Sequence, residues 1–158
     1  SAPISTVRDV FFKRSADLIG WNSYADLQRY TIGVSEGYNY APDFMRALQQ
    51  NQFKVMQAAG DTPENEQLRR LQRGLIDLAI CEVSVCSALI ALNRTEFGKL
   101  DYIDKSVGSS RTFHLGVSRN YPQAQAFIKA FDKELAQFAA EGKRREIFRR
   151  YGMAVSLD

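Results

Sequence analysis

The chain has 158 residues, enough for one domain with a hydrophobic core or for two small lobes. Its net charge of +3, from 21 basic and 18 acidic residues, is too even to indicate a nucleic-acid or anionic-membrane partner. No apolar run approaches the roughly 20 residues that a membrane-spanning helix needs. These totals favour an ordinary globular protein.

Few residues are suited to a metal site or a nucleophilic triad. The two cysteines, Cys81 and Cys86, are too few for a disulfide framework and lack metal-ligand partners, and His114 is the only histidine. We therefore expect no metal and no cofactor. A Cys81–Cys86 disulfide needs an oxidising compartment, and a strand end and a first helical turn are an awkward pair for it, so the redox state of the pair stays open.

The predicted elements alternate between strand and helix along the first two thirds of the chain. Apolar, β-prone runs predict strands at residues 6–13, 31–34, 53–57, 75–80, 100–103 and 112–117. Apolar periodicity, with prolines at several helix starts, predicts helices at residues 42–50, 63–74, 84–93, 122–141 and 143–151. This alternation predicts an α/β fold whose central, mostly parallel sheet is flanked by helices.

The stretch from Thr31 to Pro42 combines a buried strand, a turn centred on Gly37 and the start of a helix. That geometry points free backbone N–H groups and a positive helix end beyond the carboxyl end of the strand. Ligands bind at this edge in open α/β sheets. Taken alone, the stretch fits an ordinary strand-to-helix connection equally well.

Four motifs in sequence order resemble the family 3 periplasmic solute-binding proteins of ABC importers, which have the type II fold. Residues 23–27, followed by Ile32-Gly33-Val34-x-x-Gly37-Tyr38, resemble the family pattern D-L…I-G-V-x-x-G. The other three matches lie at residues 66–77, 113–118 and 130–151. The resemblance covers nearly the whole chain, but the family's N-terminal lobe, which precedes its first hinge strand, has no counterpart.

The resemblance implies a division into three segments. Residues 1–13 would be the end of lobe 1 and the first hinge strand, residues 14–110 lobe 2, and residues 111–158 the returning hinge strand and the C-terminal helices of lobe 1. The amphipathic helix predicted at residues 122–141 would then lack much of its packing partner. We therefore expect a fragment or truncated relative, with a homodimer or domain swap through the incomplete lobe as one outcome.

The resemblance also implies two ligand contacts in lobe 2. The turn after the strand would bind a carboxylate or other polar group through backbone N–H groups and polar side chains. On the next strand, an acidic residue would accept hydrogen bonds from a ligand ammonium group, beside a residue that lines the cleft. The residues at these positions are Ser35, Gly37, Tyr38, Asn39 and Tyr40 in the turn, and Cys81 and Glu82 on the next strand.

Each of these assignments has a structural alternative. Glu82 would equally suit the N-terminus of the helix that Ser84 is expected to cap, because that end favours an anion. Tyr38 and Tyr40 could pack beside the hinge instead of against a ligand. Cys81 could be a small buried hydrophobic residue.

The function implied by the resemblance is non-catalytic. The chain would be the periplasmic component of an ABC importer, binding a small polar solute (an amino acid or similar) between two lobes and presenting it to the membrane permease. A leader is not expected within this chain. The alternatives are a ligand-sensing extracellular module of a signalling protein and a lyase that uses cleft carboxylates, although no paired acid and base is apparent.

Amino-acid specificity is not implied. The family arginine that binds an amino acid's α-carboxylate lies in the lobe without a counterpart, and Leu75 stands where the family usually has arginine after glycine.

Overall fold

A computed structural model describes residues 1–150, and the chain divides into two compact units. Unit 1 contains residues 1–7 and the chain from Arg111 onward, and unit 2 contains Arg8–Ser110. The assignment of lobes implied by the resemblance, with divisions after residues 13 and 110, stays a prediction.

Strands and helices follow the predicted order with shifted ends. The strands are β1 (Pro3–Val7), β2 (Asp9–Arg14), β3 (Thr31–Ser35), β4 (Lys54–Ala58), β5 (Leu78–Glu82), β6 (Leu100–Ser106) and β7 (Arg111–His114). The helices are α1 (Pro42–Gln49), α2 (Pro63–Gln72), α3 (Val83–Leu92), α4 (Arg94–Phe97), α5 (Ala124–Ala140) and α6 (Lys143–Arg150), with a 3-10 helix at Tyr24–Leu27. The strand predicted at residues 6–13 is two strands, one in each unit. Tyr151, the predicted end of the last helix, lies outside the described residues.

Unit 2 is built on a five-stranded sheet in the order β4-β3-β5-β2-β6. β3 pairs in parallel with β4 and β5, whereas β2 pairs antiparallel with β5 and β6. Four strands therefore run in one direction and β2, inserted between β5 and β6, runs against them. The α/β fold class is confirmed, and the sheet predicted as mostly parallel is mixed. The connection from β2 to β3 contains only the 3-10 helix, so it lacks the long helical crossover that a parallel return requires.

Both faces of this sheet are covered, and β2 contributes to both cores. Phe11 and Phe12 are fully buried and point to opposite faces because successive strand residues alternate. Phe11 joins an aromatic cluster with Phe44 of α1, and Phe12 joins a cluster with Leu68 of α2. β2 is thus a central strand, which explains its nearly continuous apolar run.

A charged cluster secures the end of the sheet at which β3 begins. Asp77 accepts a hydrogen bond from the N–H of Thr31 at 2.8 Å, and its own N–H donates to the Thr31 carbonyl at 2.9 Å. Arg14 donates to the carbonyl oxygens of Leu71 and Ile76, each at 2.9 Å. Asp77 therefore has a structural role in joining β3 to the start of β5.

Unit 1 contains little buried apolar surface among the residues that the structure describes. β1 and β7 form an antiparallel two-stranded sheet, and Val7 and Phe148 are buried. α5 is 17 residues long and contains no buried residue. None of the helices within residues 1–150 is long and apolar enough to cross a membrane.

The core of unit 2 contains an amide that forms no hydrogen bond with the described residues. Gln67 of α2 is 1% exposed, and neither its Oε1 nor its Nε2 atom has a partner within residues 1–150. Its side chain occupies the space above Gly33, where an added Cβ would lie 1.8 Å from Gln67 Oε1. Burying an unpaired amide is unfavourable, so Gln67 lowers the stability of the core.

Gln67→Met should raise the free energy of unfolding by about 1–2 kcal/mol, because methionine has a similar unbranched shape and needs no hydrogen bond. Urea unfolding followed by circular dichroism measures the change. Gln49→Met is the comparison, because Gln49 is an exposed glutamine at the end of α1. Lower stability in Gln67→Met would show that the Gln67 amide is satisfied in solution.

Candidate functional site at the carboxyl edge of the sheet

The two predicted ligand-contacting groups meet at one edge of unit 2. β3 and β5 are adjacent and parallel, with Ile32 opposite Leu78, so their carboxyl ends lie at the same edge. Continuing this register brings the residues after β3 level with Glu82. The antiparallel strand β2 brings its first residue, Asp9, opposite Glu82 at this edge.

The turn after β3 depends on Gly37. The N–H of Tyr38 donates to the carbonyl of Ser35 at 3.3 Å, and Gly37, the third residue of this turn, has a φ of +75°. A positive φ at that position defines a type II turn and favours glycine. Gly37, Tyr38 and Asn39 are all exposed, so the turn presents backbone and polar groups at the surface of unit 2.

Ser35 and Tyr40 lie beneath this exposed turn. Ser35 is 5% exposed and Tyr40 is 7% exposed. The N–H of Ser35 donates to the Tyr40 hydroxyl at 2.7 Å, and the Tyr40 ring packs edge-on against Phe44 with centroids 5.4 Å apart. Burial raises the pKa of Tyr40, and the Ser35 hydrogen bond partly opposes the rise. Ser35 and Tyr40 support the turn from the core side. Tyr40 packs within the core cluster of unit 2, and its contact with a ligand stays a prediction.

Tyr38 is fixed at the surface by a carboxylate of α2. Its ring is 48% exposed, and its hydroxyl donates to Glu64 Oε1 at 2.6 Å. This hydrogen bond, together with partial burial and the charge of Glu64, raises the pKa of Tyr38 from 10.0 to about 12. The turn is thereby tied to the first turn of α2.

Glu82 is the N-cap of α3. Its Oε2 atom accepts from the N–H groups of Ser84 and Val85, each at 3.0 Å, and from the Ser84 hydroxyl at 2.5 Å. The expectation that Ser84 caps this helix is wrong: Ser84 lies within the first helical turn and Glu82 supplies the acceptor. The capping interpretation of Glu82 is thus realised, and all three bonds go to one of its two oxygens.

Cys81 and Cys86 form a disulfide, with Cα atoms 6.2 Å apart. Cys81 is 5% exposed and Cys86 is fully buried. The pair that looked awkward in sequence is compatible because α3 begins directly after β5 and turns Cys86 back toward the sheet. Cys81 therefore belongs to the core at this edge and presents no free thiol.

Two further carboxylates at this edge, those of Asp9 and Glu64, are not predicted from the sequence. Asp9 is 5% exposed, and both carboxylates raise the pKa of Tyr40 through their charge. One sequence feature pointed to Asp9: it immediately precedes the apolar run of β2. No sequence feature pointed to Glu64, because its contact with Tyr38 joins residues that are 26 positions apart. No cluster of three potential metal ligands occurs in residues 1–150.

Comparison with protein-family models finds no match to the sequence, and comparison with curated proteins finds none either. The fold, in contrast, is similar to many solved structures. The amino-acid ABC transporter substrate-binding protein AbpA from Streptococcus pneumoniae, bound to L-arginine, has a TM-score of 0.73 at 17% identity. The match covers 96% of this chain and 59% of AbpA.

Two further structures extend the comparison. A mutant of ArgBP from T. maritima has a TM-score of 0.71 at 17% identity, covering 96% of this chain and 60% of ArgBP. The GluR0 ligand-binding core in complex with L-glutamate has a TM-score of 0.73 at 13% identity, and the match covers 96% of this chain and 62% of the GluR0 chain. The chain therefore has the fold of substrate-binding proteins of amino-acid ABC transporters and spans about three fifths of the length of the chains it matches.

Glu82→Ala should lower the free energy of unfolding by about 1 kcal/mol, because it removes the acceptor for two first-turn N–H groups of α3. Urea unfolding without any ligand measures the loss. Glu36→Ala, a change at an exposed glutamate of the turn, should alter stability by less than about 0.5 kcal/mol. Equal losses in the two variants would contradict a capping role for Glu82.

The Tyr38 phenol should titrate near pH 12, and Glu64→Gln should return its pKa toward 10 because the charged acceptor is lost. Since the folded-state pKa is raised, the stability contributed by the protonated phenol is complete below pH 10 and is lost as pH rises from 10 to 12. Tyrosine-labelled carbon NMR follows the titration, and Tyr38→Phe identifies the signal. A Tyr38 pKa that is the same with and without the Glu64 charge would show that the hydrogen bond does not persist in solution.

Proposed function

We propose that this chain is the extracytoplasmic solute-binding component of an ABC importer and binds, without catalysis, a small polar solute that carries an ammonium group. The observation that carries the proposal is the arrangement at one sheet edge. An exposed turn with polar groups follows β3, and the parallel register of β3 on β5 brings this turn level with Glu82, whose carboxylate caps α3. Such an edge suits a ligand with both an acceptor and a cation, as in an amino acid.

The turn would bind the acceptor end of the solute. Gly37, Tyr38 and Asn39 are exposed. The Tyr38 N–H donates within the turn, so the Gly37 N–H and the polar side chains would bind the carboxylate. Tyr38, whose hydroxyl is held by Glu64, would pack against the apolar part of the solute. Ser35 and Tyr40 would act indirectly by supporting the turn.

Glu82 would bind the ammonium end. An ionised carboxylate has about four acceptor positions, and the capping bonds use Oε2. Oε1 would therefore accept from the solute. Glu82 is partly buried, and a partly desolvated carboxylate gains from a second charged partner.

The compartment and the partners form part of the proposal. The Cys81–Cys86 disulfide supports an oxidising location such as the periplasm. The permease of the importer would be the membrane partner. A further lobe would complete the binding site, because the chain matches only about three fifths of the comparison chains and α5 has no buried residue. A longer polypeptide or a second copy of this chain could supply that lobe.

The similarity to the GluR0 ligand-binding core favours a second candidate, a ligand-sensing module of a signalling protein. Both candidates use the same solute site but differ in the consequence of binding. Uptake of the radiolabelled solute in cells that lack the protein distinguishes them. Uptake falls if the protein serves an importer and is unchanged if it serves a receptor.

Calorimetric titration with a panel of amino acids, polyamines and small carboxylates should detect saturable binding of at least one ammonium-bearing solute. Glu82→Gln should weaken that binding roughly tenfold or more, because a hydrogen bond to a charged group is replaced by a neutral one. The amide oxygen of glutamine can still cap α3, so the fold should persist.

Glu96→Gln is the matched control, because Glu96 forms a half-exposed ion pair with Arg69 on another surface of unit 2. The affinity of the Glu96→Gln variant for the solute should equal that of the wild type. Saturable binding with the same affinity in Glu82→Gln would remove Glu82 from the site. Absence of heat with every solute, from a folded sample, would contradict binding by this chain alone.

A further inference from the structure

The segment that carries Glu82 is fixed covalently at both ends. Cys81 precedes Glu82 on β5, and Cys86 lies at the end of the first turn of α3. Their disulfide closes a short loop around Glu82, and both half-cystines are buried. The candidate ammonium-binding carboxylate is therefore enclosed by the crosslink.

α3 packs on the core of unit 2 mainly through partly buried side chains, among them Val83, Leu89 and Ile90. Within Val83–Leu92, Cys86 is the only buried residue, while Val85 is 45% exposed and Leu92 is 80% exposed. The helix contains no charged side chain that could form an ion pair. Helices with few fully buried residues open locally more easily than the core, so the buried half-cystine helps to hold the first turn in place.

The first turn of α3 sets the position of the Glu82 side chain. The N–H of Val83 donates to the carbonyl of Arg8 at 3.0 Å, which joins the helix start to the chain entering β2. Glu82 Oε2 is held by Ser84 and Val85. If the first turn unwinds, these donors move and the carboxylate loses its fixed orientation.

We propose that the Cys81–Cys86 disulfide positions Glu82 for solute binding by locking the first turn of α3 to the end of β5. This inference rests on the proposed function for its effect on affinity, but not for its effect on the helix. Removing the crosslink should lower the population of the capped first turn. Apparent affinity falls in proportion to the binding-competent fraction, so a first turn that is about one-tenth populated would weaken binding about tenfold.

Hydrogen exchange by NMR tests the positioning without any ligand. The double variant Cys81→Ala/Cys86→Ala is compared with the wild type and with Phe53→Leu, which weakens the other core cluster of unit 2. The Ser84 and Val85 amides should exchange at least about tenfold faster in the double variant, with the amides of β3 unaffected. In Phe53→Leu, exchange of the Ser84 and Val85 amides should not be accelerated selectively.

Calorimetry with the solute that binds the wild type tests the consequence. The double variant should bind about tenfold more weakly, whereas Phe53→Leu should keep wild-type affinity. An affinity lost equally in both variants would assign the disulfide to general stability and overturn the proposal. If no solute binds the wild type, binding by this chain alone is contradicted, while hydrogen exchange still decides whether the disulfide fixes the first turn.

Unchanged protection of Ser84 and Val85 in the double variant would also overturn the proposal. If that variant does not fold, the wild type is reduced with a phosphine and the exchange is measured again. The S–S bond is then cleaved to two thiols, the phosphine becomes its oxide, and water supplies the oxygen and both protons. Faster exchange confined to the first turn of α3 supports the positioning role, and unchanged exchange refutes it.

Discussion

The parallel pairing of β3 with β5 is the constraint on which the candidate site depends. It brings the Gly37 turn and Glu82, which are 45 residues apart in sequence, to one edge of the sheet. β2 reinforces this arrangement, because its antiparallel pairing places Asp9 opposite Glu82 and its two phenylalanines join the cores on both faces. The edge is therefore built on a strand that cannot shift without disrupting both cores.

Local sequence patterns predicted most of the elements but not the direction of β2. Apolar β-prone runs and the first-turn prolines of α1 and α2 are properties of short segments, so their positions could be predicted. Strand order and direction depend on pairings between distant segments. The insertion of β2 between β5 and β6 has no local signature, and the break between Val7 and Arg8 that separates β1 from β2 has none either.

The same distinction applies to the site. The Gly37 turn was predictable because a positive φ has a strong residue preference. The burial of Tyr40 and the contact between Tyr38 and Glu64 were not, since both depend on how α1 and α2 pack on the sheet. The disulfide was left open because the reach of two cysteines is set by the angle at which α3 leaves β5. Sequence thus identified the edge, while tertiary packing decided which side chains face outward.

The capping role of Glu82 and its proposed role in holding a cation make different demands. Capping α3 needs only an acceptor oxygen, whereas holding a cation needs a negative charge. The capping bonds to Oε2 keep the side chain in one orientation. Those same bonds draw electron density toward the helix, which weakens the pull of the carboxylate on an ammonium group. A solute held by Glu82 alone would bind poorly, so the site should favour solutes that also place an acceptor on the Gly37 turn.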